Sequence, residues 1–326
     1  MKRALICGAT GQDGSYLSRL LIGKGYQVFG TSRDATMASG QNFARLGIQE
    51  KLTLLSMAPN DFRSVLGAIE RAEPDEIYYL AGQSSVGLSF EQPAETIESI
   101  TIGTLNILEA MRMRACGTRL YHAGSSECFG DTGGQQATEE TPFRPRSPYA
   151  VAKSSAHWLI ANYREAYGLF ACNGILFNHE SPLRPRRFVT QKIVAGAVAI
   201  ADGRMNKLQL GNIDVSRDWG WAPEFVEAMW LMLQQDCADD YIVATGHTSS
   251  LEDFVAAAFD AVGLRWHDHV TLDPGQQRPT DLSWSGGTPE KAARQLGWKP
   301  QTRMPGLVAA MVNAERKVWE RDGSGA

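Results

Sequence analysis

The sequence has little cysteine, no long apolar run and no strong net charge. Its five cysteines are odd in number and scattered, without C-x-x-C spacing, which argues against a disulfide framework or a zinc site and favours a reducing compartment. No apolar run is long enough for a membrane span or a signal peptide. A formal net charge of -4 over 326 residues gives no general attraction to nucleic acid or anionic membranes. We therefore expect a cytoplasmic protein with no metal, nucleic-acid partner or membrane partner.

A glycine-rich loop lies between a short apolar strand, residues 4–7, and an amphipathic helix, residues 16–21. Its pattern is G-x-x-G-x-x-G, in which the glycines permit a tight turn, close approach of a pyrophosphate and tight packing of helix on strand. Amides at the start of the helix would bind the phosphates. A glycine-rich turn without a ligand is the alternative. The predicted cofactor contacts in this loop are Gly8, Thr10, Gly11, Gln12, Asp13 and Gly14.

The end of the second predicted strand, residues 26–31, indicates which dinucleotide is bound. An acidic residue here binds a ribose hydroxyl and suggests NAD, whereas an arginine accepts the additional phosphate of NADP. Ser32 and Arg33 favour NADP, while the neighbouring Asp34 favours NAD. We therefore predict NADP, contacted by Ser32 and Arg33, with NAD as the alternative. The simpler interpretation of Arg33 is a solvated loop cation.

Strands and helices alternate along the first half of the chain, which predicts an α/β fold with a doubly wound parallel sheet. Ligands should bind at the carboxyl ends of its strands. After the sixth strand the pattern loosens through a polar loop at residues 177–182. The further predicted strands of this sheet are residues 52–55, 76–80, 119–123 and 169–175.

The loosening of the pattern predicts a second, smaller domain of mixed α/β structure that binds substrate. We predict that residues 1–176 form the dinucleotide-binding domain and that the chain returns to it around residues 213–245. The substrate-binding domain would then consist of residues 177–212 and 246–326.

Tyr149 and Lys153 form a Tyr-x-x-x-Lys pair, and Pro148 can start a helix that carries both. This spacing places the two side chains on one helix face, where the ammonium favours the phenolate and lowers the tyrosine pKa. Such a tyrosine can take a proton from a sugar hydroxyl. Ser125 and Glu127 follow the fifth strand, where a substrate should bind. The alternatives are a surface helix with a solvated lysine and a structural role for Glu127.

Basic residues are concentrated after residue 183, although the chain is acidic overall. Guanidinium and ammonium groups bind phosphates through charge-assisted hydrogen bonds, so the cluster predicts a local diphosphate pocket. The alternative is that most of these side chains are solvated or paired. The cluster consists of Arg184, Arg186, Arg187, Lys192, Arg217 and Arg278.

Several longer motifs occur almost from end to end of the chain. They are GATGQDGSYL from Gly8, SSECFG from Ser125, TPFRPRSPYAVAK from Thr141, GILFNHESPLR from Gly174, RDWG from Arg217 with VEAMWLMLQQ from Val226, and LGWKP from Leu296. Together these motifs resemble the extended short-chain dehydrogenase/reductase family, which has a Rossmann-type fold. Within that family the chain is most similar to the GDP-mannose 4,6-dehydratases.

The resemblance implies a redox-neutral lyase that acts on a GDP-sugar. Tyr149, helped by Lys153 and Ser125, would deprotonate the hexose 4-hydroxyl while NADP+ takes the C4 hydride. Glu127 would remove the C5 proton and help to expel the C6 hydroxyl as water, after which the hydride returns to C6. The implied cofactor contacts also include Leu80, Ala81, Tyr149, Lys153 and His179. The implied substrate contacts are Ser84, Ser126, Asn178, Glu180, Val189, Lys192, Gly211, Arg217 and Arg278.

The sequence departs from the family pattern at two informative positions. Ser125 stands where the family has threonine, which keeps the hydroxyl. Asp34 stands where the family has a second arginine, which bears on NADP preference and on whether the protein forms a homodimer or a homotetramer. The alternative functions are dehydration of another GDP-sugar such as a GDP-heptose, a nucleotide-sugar reductase or epimerase, and a non-catalytic NADP-binding protein.

Overall fold

A computed structural model describes residues 1–114, 117–273, 275 and 279–323, with side chains to residue 317. Arg278, a predicted substrate contact, lies outside the described residues. The strands are β1 Arg3–Cys7, β2 Gln27–Ser32, β3 Thr53–Ser56, β4 Glu76–Tyr79, β5 Arg119–Ser125, β6 Ala171–Leu176, β7 Asn178–Glu180, β8 Leu208–Leu210, β9 Ser216–Trp221, β10 Asp240–Val243, β11 Thr248–Ser250, β12 Val270–Leu272 and β13 Trp284–Ser285.

Most of the helices lie between these strands. They are α1 Gln12–Gly23, α2 Gln41–Arg45, α3 Phe62–Ala72, α4 Val86–Glu91, α5 Pro93–Ile97, α6 Gly103–Arg114, α7 Pro148–Tyr167, α8 Val189–Ala201, α9 Ala222–Met232, α10 Leu251–Asp260, α11 Glu290–Gln295 and α12 Met304–Gly323. A π-helical turn, Glu98–Ile102, joins α5 to α6, and a 3₁₀ turn, Ser126–Phe129, follows β5.

Within the described residues, the central sheet has seven strands in the order β10-β6-β5-β4-β1-β2-β3, and every neighbouring pair is parallel. Side chains of β1 alternate between its two faces. Ala4 and Ile6 pack into the core with α1 and α9, whereas Leu5 and Cys7 pack with α3 and α6. Apolar strands covered on both faces are typical of parallel sheets. The predicted doubly wound α/β fold is confirmed.

The rest of the described chain builds a smaller unit around a mixed sheet. β9 pairs antiparallel with β11 and parallel with β13 and β7, while β12 pairs with β8. Helices α8, α10 and α12 pack on this unit through a separate apolar core that includes Trp219 and Phe254. β10 joins the central sheet and β9 the smaller one, and the domain boundaries given above stay predictions.

The sequence-based expectation of a polar loop at residues 177–182 is wrong in part. Asn178, His179 and Glu180 form β7, which pairs with Trp219–Trp221 in β9. These three residues are polar and lack the apolar alternation that identifies a strand from sequence. Their backbone is ordered by a partner strand some forty residues further along the chain. Consequently His179 and Glu180 occupy fixed, buried positions.

Two findings bear on the first expectations from composition. None of the described helices is both long enough and apolar enough to cross a membrane. The described cysteines, Cys7, Cys128, Cys172 and Cys237, are all unpaired, and the first three are buried. Burial raises the pKa of Cys128, which lies close to the candidate site, to about 11 and so disfavours the thiolate that a nucleophile needs.

Candidate active site

The glycine-rich loop turns sharply between β1 and α1. Gly8 has a φ of +85°, and a Cβ at this residue would lie 3.1 Å from the backbone of Ala81. A Cβ at Gly14 would collide with the carbonyl oxygen of Gly8. Gly11 is the N-cap of α1 and has no side chain, so the first amides of the helix are left to bind an anion. The loop therefore fits the pyrophosphate of a dinucleotide.

A hydrogen-bonded network ties the start of α1 to β7. His179 donates through Nδ1 to the carbonyl oxygen of Phe177 at 2.7 Å and through Nε2 to Oδ2 of Asp13 at 2.9 Å. The Gln12 side chain donates to Asp13 and to the carbonyl oxygen of His179, and it accepts from Ser181. Two ring nitrogens that both donate require a cationic imidazolium.

The charges in this network stabilise one another. Burial lowers the pKa of His179, but the Asp13 carboxylate outweighs it, and the pKa lies above its ordinary value. Burial raises the pKa of Asp13, but the charge of His179 and its hydrogen bond hold that pKa below its ordinary value. The result is an ion pair directly beneath the dinucleotide loop.

The predicted catalytic pair lies at the start of α7. Ser147 caps this helix by accepting from the amide of Ala150 at 3.1 Å, and Pro148 occupies its first turn. Lys153 is 7% exposed, and its Nζ donates to the carbonyl oxygen of Ala123 at 2.7 Å. Nζ lies 5.8 Å from the centre of the Tyr149 ring. The alternative of a solvated lysine on a surface helix is therefore wrong.

The expectation that Lys153 lowers the pKa of Tyr149 is wrong for this structure. Burial raises the pKa of Tyr149 above its ordinary value, and a hydrogen bond with Ser125 and the charge of Arg184 only partly oppose it. Burial also lowers the pKa of Lys153 to about 8. The ammonium is directed at the Ala123 carbonyl, so its effect on the phenol is weaker than their spacing suggests.

Glu127 enters the site from the 3₁₀ turn after β5. Ser125 is the last residue of the strand, and its Oγ accepts from the amide of Glu127 at 3.3 Å, which starts the turn. Ser125 and Ser126 are buried, whereas Glu127 is half-buried at the cavity wall. A serine from β5, a carboxylate from the 3₁₀ turn and a tyrosine from α7 therefore line the same space.

A cavity of about 610 Å³ connects these groups with the basic cluster. Lys192 lines it from α8, and Arg217, which is buried, lines it from β9. The predicted residues that line this cavity are Asp13, Leu80, Ser84, Ser125, Ser126, Glu127, Tyr149, Lys153, Asn178, His179, Glu180, Val189, Lys192, Gly211 and Arg217. The other predicted cofactor residues are not among its lining: Gly8, Thr10, Gly11, Gln12, Gly14, Ser32, Arg33 and Ala81.

Ser32, Arg33 and Asp34 lie at the carboxyl end of β2, at the edge of the dinucleotide loop. Asp34 accepts from the amide of Thr36 at 2.9 Å and from its hydroxyl at 2.6 Å. The hydroxyl of Ser56, at the end of β3, accepts from the amide of Ala35 at 3.0 Å. Asp34 is therefore engaged in its own turn.

Arg184 and Arg187 of the predicted basic cluster also line the cavity, and so does Asp281, which sequence reasoning did not assign to the site. Nε of Arg184 lies 3.1 Å from Oε2 of the buried Glu180, and its guanidinium stacks on Phe188. The four-residue spacing of Glu180 and Arg184 was a usable signal. Asp281 Oδ1 lies 3.0 Å from Nη2 of Arg217, a long-range pair for which the sequence holds no signal.

Among the residues that the structure describes, no group of three or more His, Cys, Asp or Glu side chains could hold a metal ion.

Comparison with known proteins identifies the family. The model of the GDP-mannose 4,6 dehydratase family matches residues 5–311. GDP-mannose 4,6 dehydratase 2 of Arabidopsis thaliana is 46% identical over 98% of this chain and 88% of its own length, and GDP-mannose 4,6-dehydratase of Sinorhizobium fredii is 42% identical over 96% of both. The UDP-glucose 4-epimerase of Thermus thermophilus, solved with NAD, superposes with a TM-score of 0.85 at 25% identity, over 96% of this chain and 99% of that chain. The resemblance seen in the motifs is confirmed, and the chain belongs to the GDP-mannose 4,6-dehydratase family.

Proposed function

We propose that this chain is a lyase that converts GDP-mannose into GDP-4-keto-6-deoxymannose and water, with the hydride removed from C4 returned to C6. One observation carries the proposal. Tyr149, Ser125 and Glu127 line a single cavity that also contains the cationic side chains of Lys192 and Arg217. A reductase or epimerase needs one acid–base group for hydride transfer, whereas elimination of water needs a second one.

A nicotinamide dinucleotide fits the glycine loop and the uncapped start of α1. When bound, it would supply a reversible hydride acceptor and a positive charge. The loop residues Gly8–Gly14, together with Leu80 and His179, would hold it. We favour NADP over NAD because Asp34, the residue that favoured NAD in the sequence, has its carboxylate engaged by Thr36 and Met37.

Tyr149 acts as the base towards the hexose 4-hydroxyl. Its phenol is hydrogen-bonded with Ser125, which opposes the pKa increase that burial causes. Lys153 is a fixed ammonium beside the ring, held by the Ala123 carbonyl. Both residues lie on a capped helix, so that the phenol is held in position before substrate arrives.

Glu127 acts as the second acid–base group. A ketone at C4 makes the C5 proton acidic, and the Glu127 carboxylate takes that proton and then passes it to the departing C6 hydroxyl as water forms. The proton that Tyr149 took from the 4-hydroxyl would then return to C5 as the hydride returns to C6. Glu127 is half-buried at the cavity wall, two residues from Ser125, and this position supports its assignment as the second acid–base group.

The basic side of the cavity would bind the diphosphate of the GDP-sugar. Arg217 is buried and already paired with Asp281, and Lys192 lies on α8. Guanidinium groups bind phosphate oxygens in a bidentate manner. Asn178, Val189 and Gly211 would line the remaining nucleotide-sugar space.

We further propose that the protein forms a homodimer through α7 and an adjoining helix, which consists of α5, the π-helical turn and α6. Trp158 and Val151 on α7 are 63% and 45% exposed, and Ile97 and Ile102 on the adjoining helix are exposed as well. The two helical segments pack against each other, and a large exposed apolar patch is unusual on a monomer. Trp158→Asp should shift the protein to monomer in analytical ultracentrifugation, and a wild-type monomer would refute the dimer.

The function is tested by incubating the purified protein with GDP-mannose and catalytic NADP+. Mass spectrometry should detect a sugar nucleotide that has lost one water, without net formation of NADPH. Net NADPH without loss of water would instead indicate a dehydrogenase. Dehydration of a GDP-heptose but not of GDP-mannose would keep the mechanism and replace the substrate.

A further inference from the structure

An ion pair lies at the carboxyl end of β2, away from the catalytic groups. Nη1 of Arg33 is 3.2 Å from Oε1 of Glu95, which lies in the first turn of α5. The two side chains are 82% and 48% exposed. Arg33 and Glu95 are 62 residues apart in sequence, so the fold and not local spacing brings them together.

Of the polar groups at the carboxyl end of β2, Arg33 is the cation that a 2′-phosphate would need. Asp34 accepts hydrogen bonds from Thr36 and Met37 and is committed to its turn. Ser56 accepts from the amide of Ala35, and its hydroxyl can still donate. Glu95 is therefore the carboxylate that competes with an incoming anion for the Arg33 guanidinium.

We propose that Glu95 determines cofactor specificity through its ion pair with Arg33. This pair weakens the chain's preference for NADP, which carries a ribose 2′-phosphate, over NAD, which has a 2′-hydroxyl. This inference rests on the proposed binding of a dinucleotide along the glycine loop. A monophosphate carries about 1.5 to 2 negative charges at pH 7. It must share the Arg33 guanidinium with Glu95, whereas a 2′-hydroxyl does not need that cation.

The expected effect is modest because both side chains are exposed. Exposed ion pairs contribute little, and the equivalent change in affinity is about two- to fivefold. Salt screens such pairs, since the Debye length falls from about 10 Å at 0.1 M to about 3 Å at 1 M. The effect should therefore be measured at low ionic strength and should disappear at high ionic strength.

The test is equilibrium binding of NADP+ and of NAD+ to the full chain by isothermal titration calorimetry, which needs no turnover. Glu95→Gln should tighten NADP+ binding about two- to fivefold and leave NAD+ binding unchanged. Glu91→Gln is the matched control, because Glu91 is an exposed carboxylate on the neighbouring helix α4. It should change neither affinity.

A second variant shows whether the effect passes through Arg33. In an Arg33→Gln background, Glu95→Gln should no longer change NADP+ binding. Three results would overturn the inference while leaving the dinucleotide site intact. Glu95→Gln could tighten NADP+ and NAD+ binding equally, Glu91→Gln could tighten NADP+ binding as much as Glu95→Gln does, or Glu95→Gln could weaken NADP+ binding. A wild-type protein that binds neither dinucleotide would overturn the proposed function as well.

Discussion

The two ends of the site differ in the solvent exposure of their ionisable side chains. The catalytic end contains Tyr149, Lys153, Asp13 and His179. The β2 end contains Arg33, Asp34 and Glu95. At the catalytic end burial shifts the pKa of every one of these groups, and the charges or hydrogen bonds of neighbouring groups oppose or reverse that shift. At the β2 end the charged side chains are exposed. Similar ionic contacts therefore lie in different surroundings: burial shifts the pKa values at the catalytic end, whereas water surrounds the charges at the β2 end.

The largest expected effect is the loss of the phenol at the catalytic end. Tyr149→Phe should lower kcat by about 10²- to 10⁴-fold, the usual contribution of a positioned acid–base group, because the 4-hydroxyl loses its base. Steady-state kinetics with GDP-mannose check this. Tyr167→Phe, an exposed phenol at the other end of α7, is the control and should keep wild-type kcat. An unchanged kcat in Tyr149→Phe would remove the tyrosine from the mechanism.

The next effect concerns the Asp13–His179 pair. Asp13→Asn leaves a buried imidazolium without its carboxylate and should lower the free energy of unfolding by about 3 kcal/mol near pH 6. The pKa of His179 is raised, so its share of the stability is present below its ordinary value and is lost as the pH rises through the raised value. The pKa of Asp13 is lowered, so its share is lost on acidification.

Urea denaturation of wild type and Asp13→Asn across the pH range measures this window. The difference between them should be largest at about pH 5 to 6 and should shrink towards pH 9. A difference that still grows as the pH rises above about 6 would mean that His179 is neutral in the folded state.

The third effect concerns Lys153, whose replacement should increase stability and decrease activity. Burial depresses the pKa of Lys153 to about 8 from an ordinary 10.5, so the charged lysine destabilises the fold at pH 7. Lys153→Met should raise the free energy of unfolding by about 1 to 3 kcal/mol at pH 7, while lowering kcat. The gain should shrink as the pH rises from 8 to 10.5, where the unfolded chain binds the additional proton. A Lys153→Met variant that is less stable than wild type at pH 7 would contradict this account.

The smallest effect belongs to the β2 end. Arg33→Gln removes an exposed ion pair with Glu95 and should leave the urea midpoint unchanged, because such pairs contribute little to stability. It should weaken the binding of NADP+ and not of NAD+. A clear loss of stability in Arg33→Gln would show that the two ends are less different than their exposure indicates.

Sequence reasoning was strongest where periodicity and capping act locally. The strands of the central sheet are apolar and covered on both faces, and the helix of Tyr149 begins at Pro148, as predicted. Each of these signals lies within a few residues of its consequence, so it can be read without knowledge of the fold.

Sequence reasoning was weakest where distant elements meet. β7 is polar and takes its order from β9, the Arg217–Asp281 pair joins residues 64 positions apart, and Arg33 pairs with Glu95 across 62 residues. The effect of Lys153 on Tyr149 was misjudged because burial, which sequence spacing does not reveal, dominates both pKa values. Arg278 lies outside the described residues, and its role as a substrate contact stays a prediction.

The central claim is that Tyr149 and Glu127 perform two separable halves of one reaction. The most direct test is Glu127→Gln mixed with GDP-mannose and stoichiometric NADP+, followed by NADPH absorbance and mass spectrometry. The account predicts that NADPH forms and persists while the sugar keeps its C6 hydroxyl, since oxidation at C4 proceeds and elimination does not. Loss of water at the wild-type rate in Glu127→Gln would contradict the account.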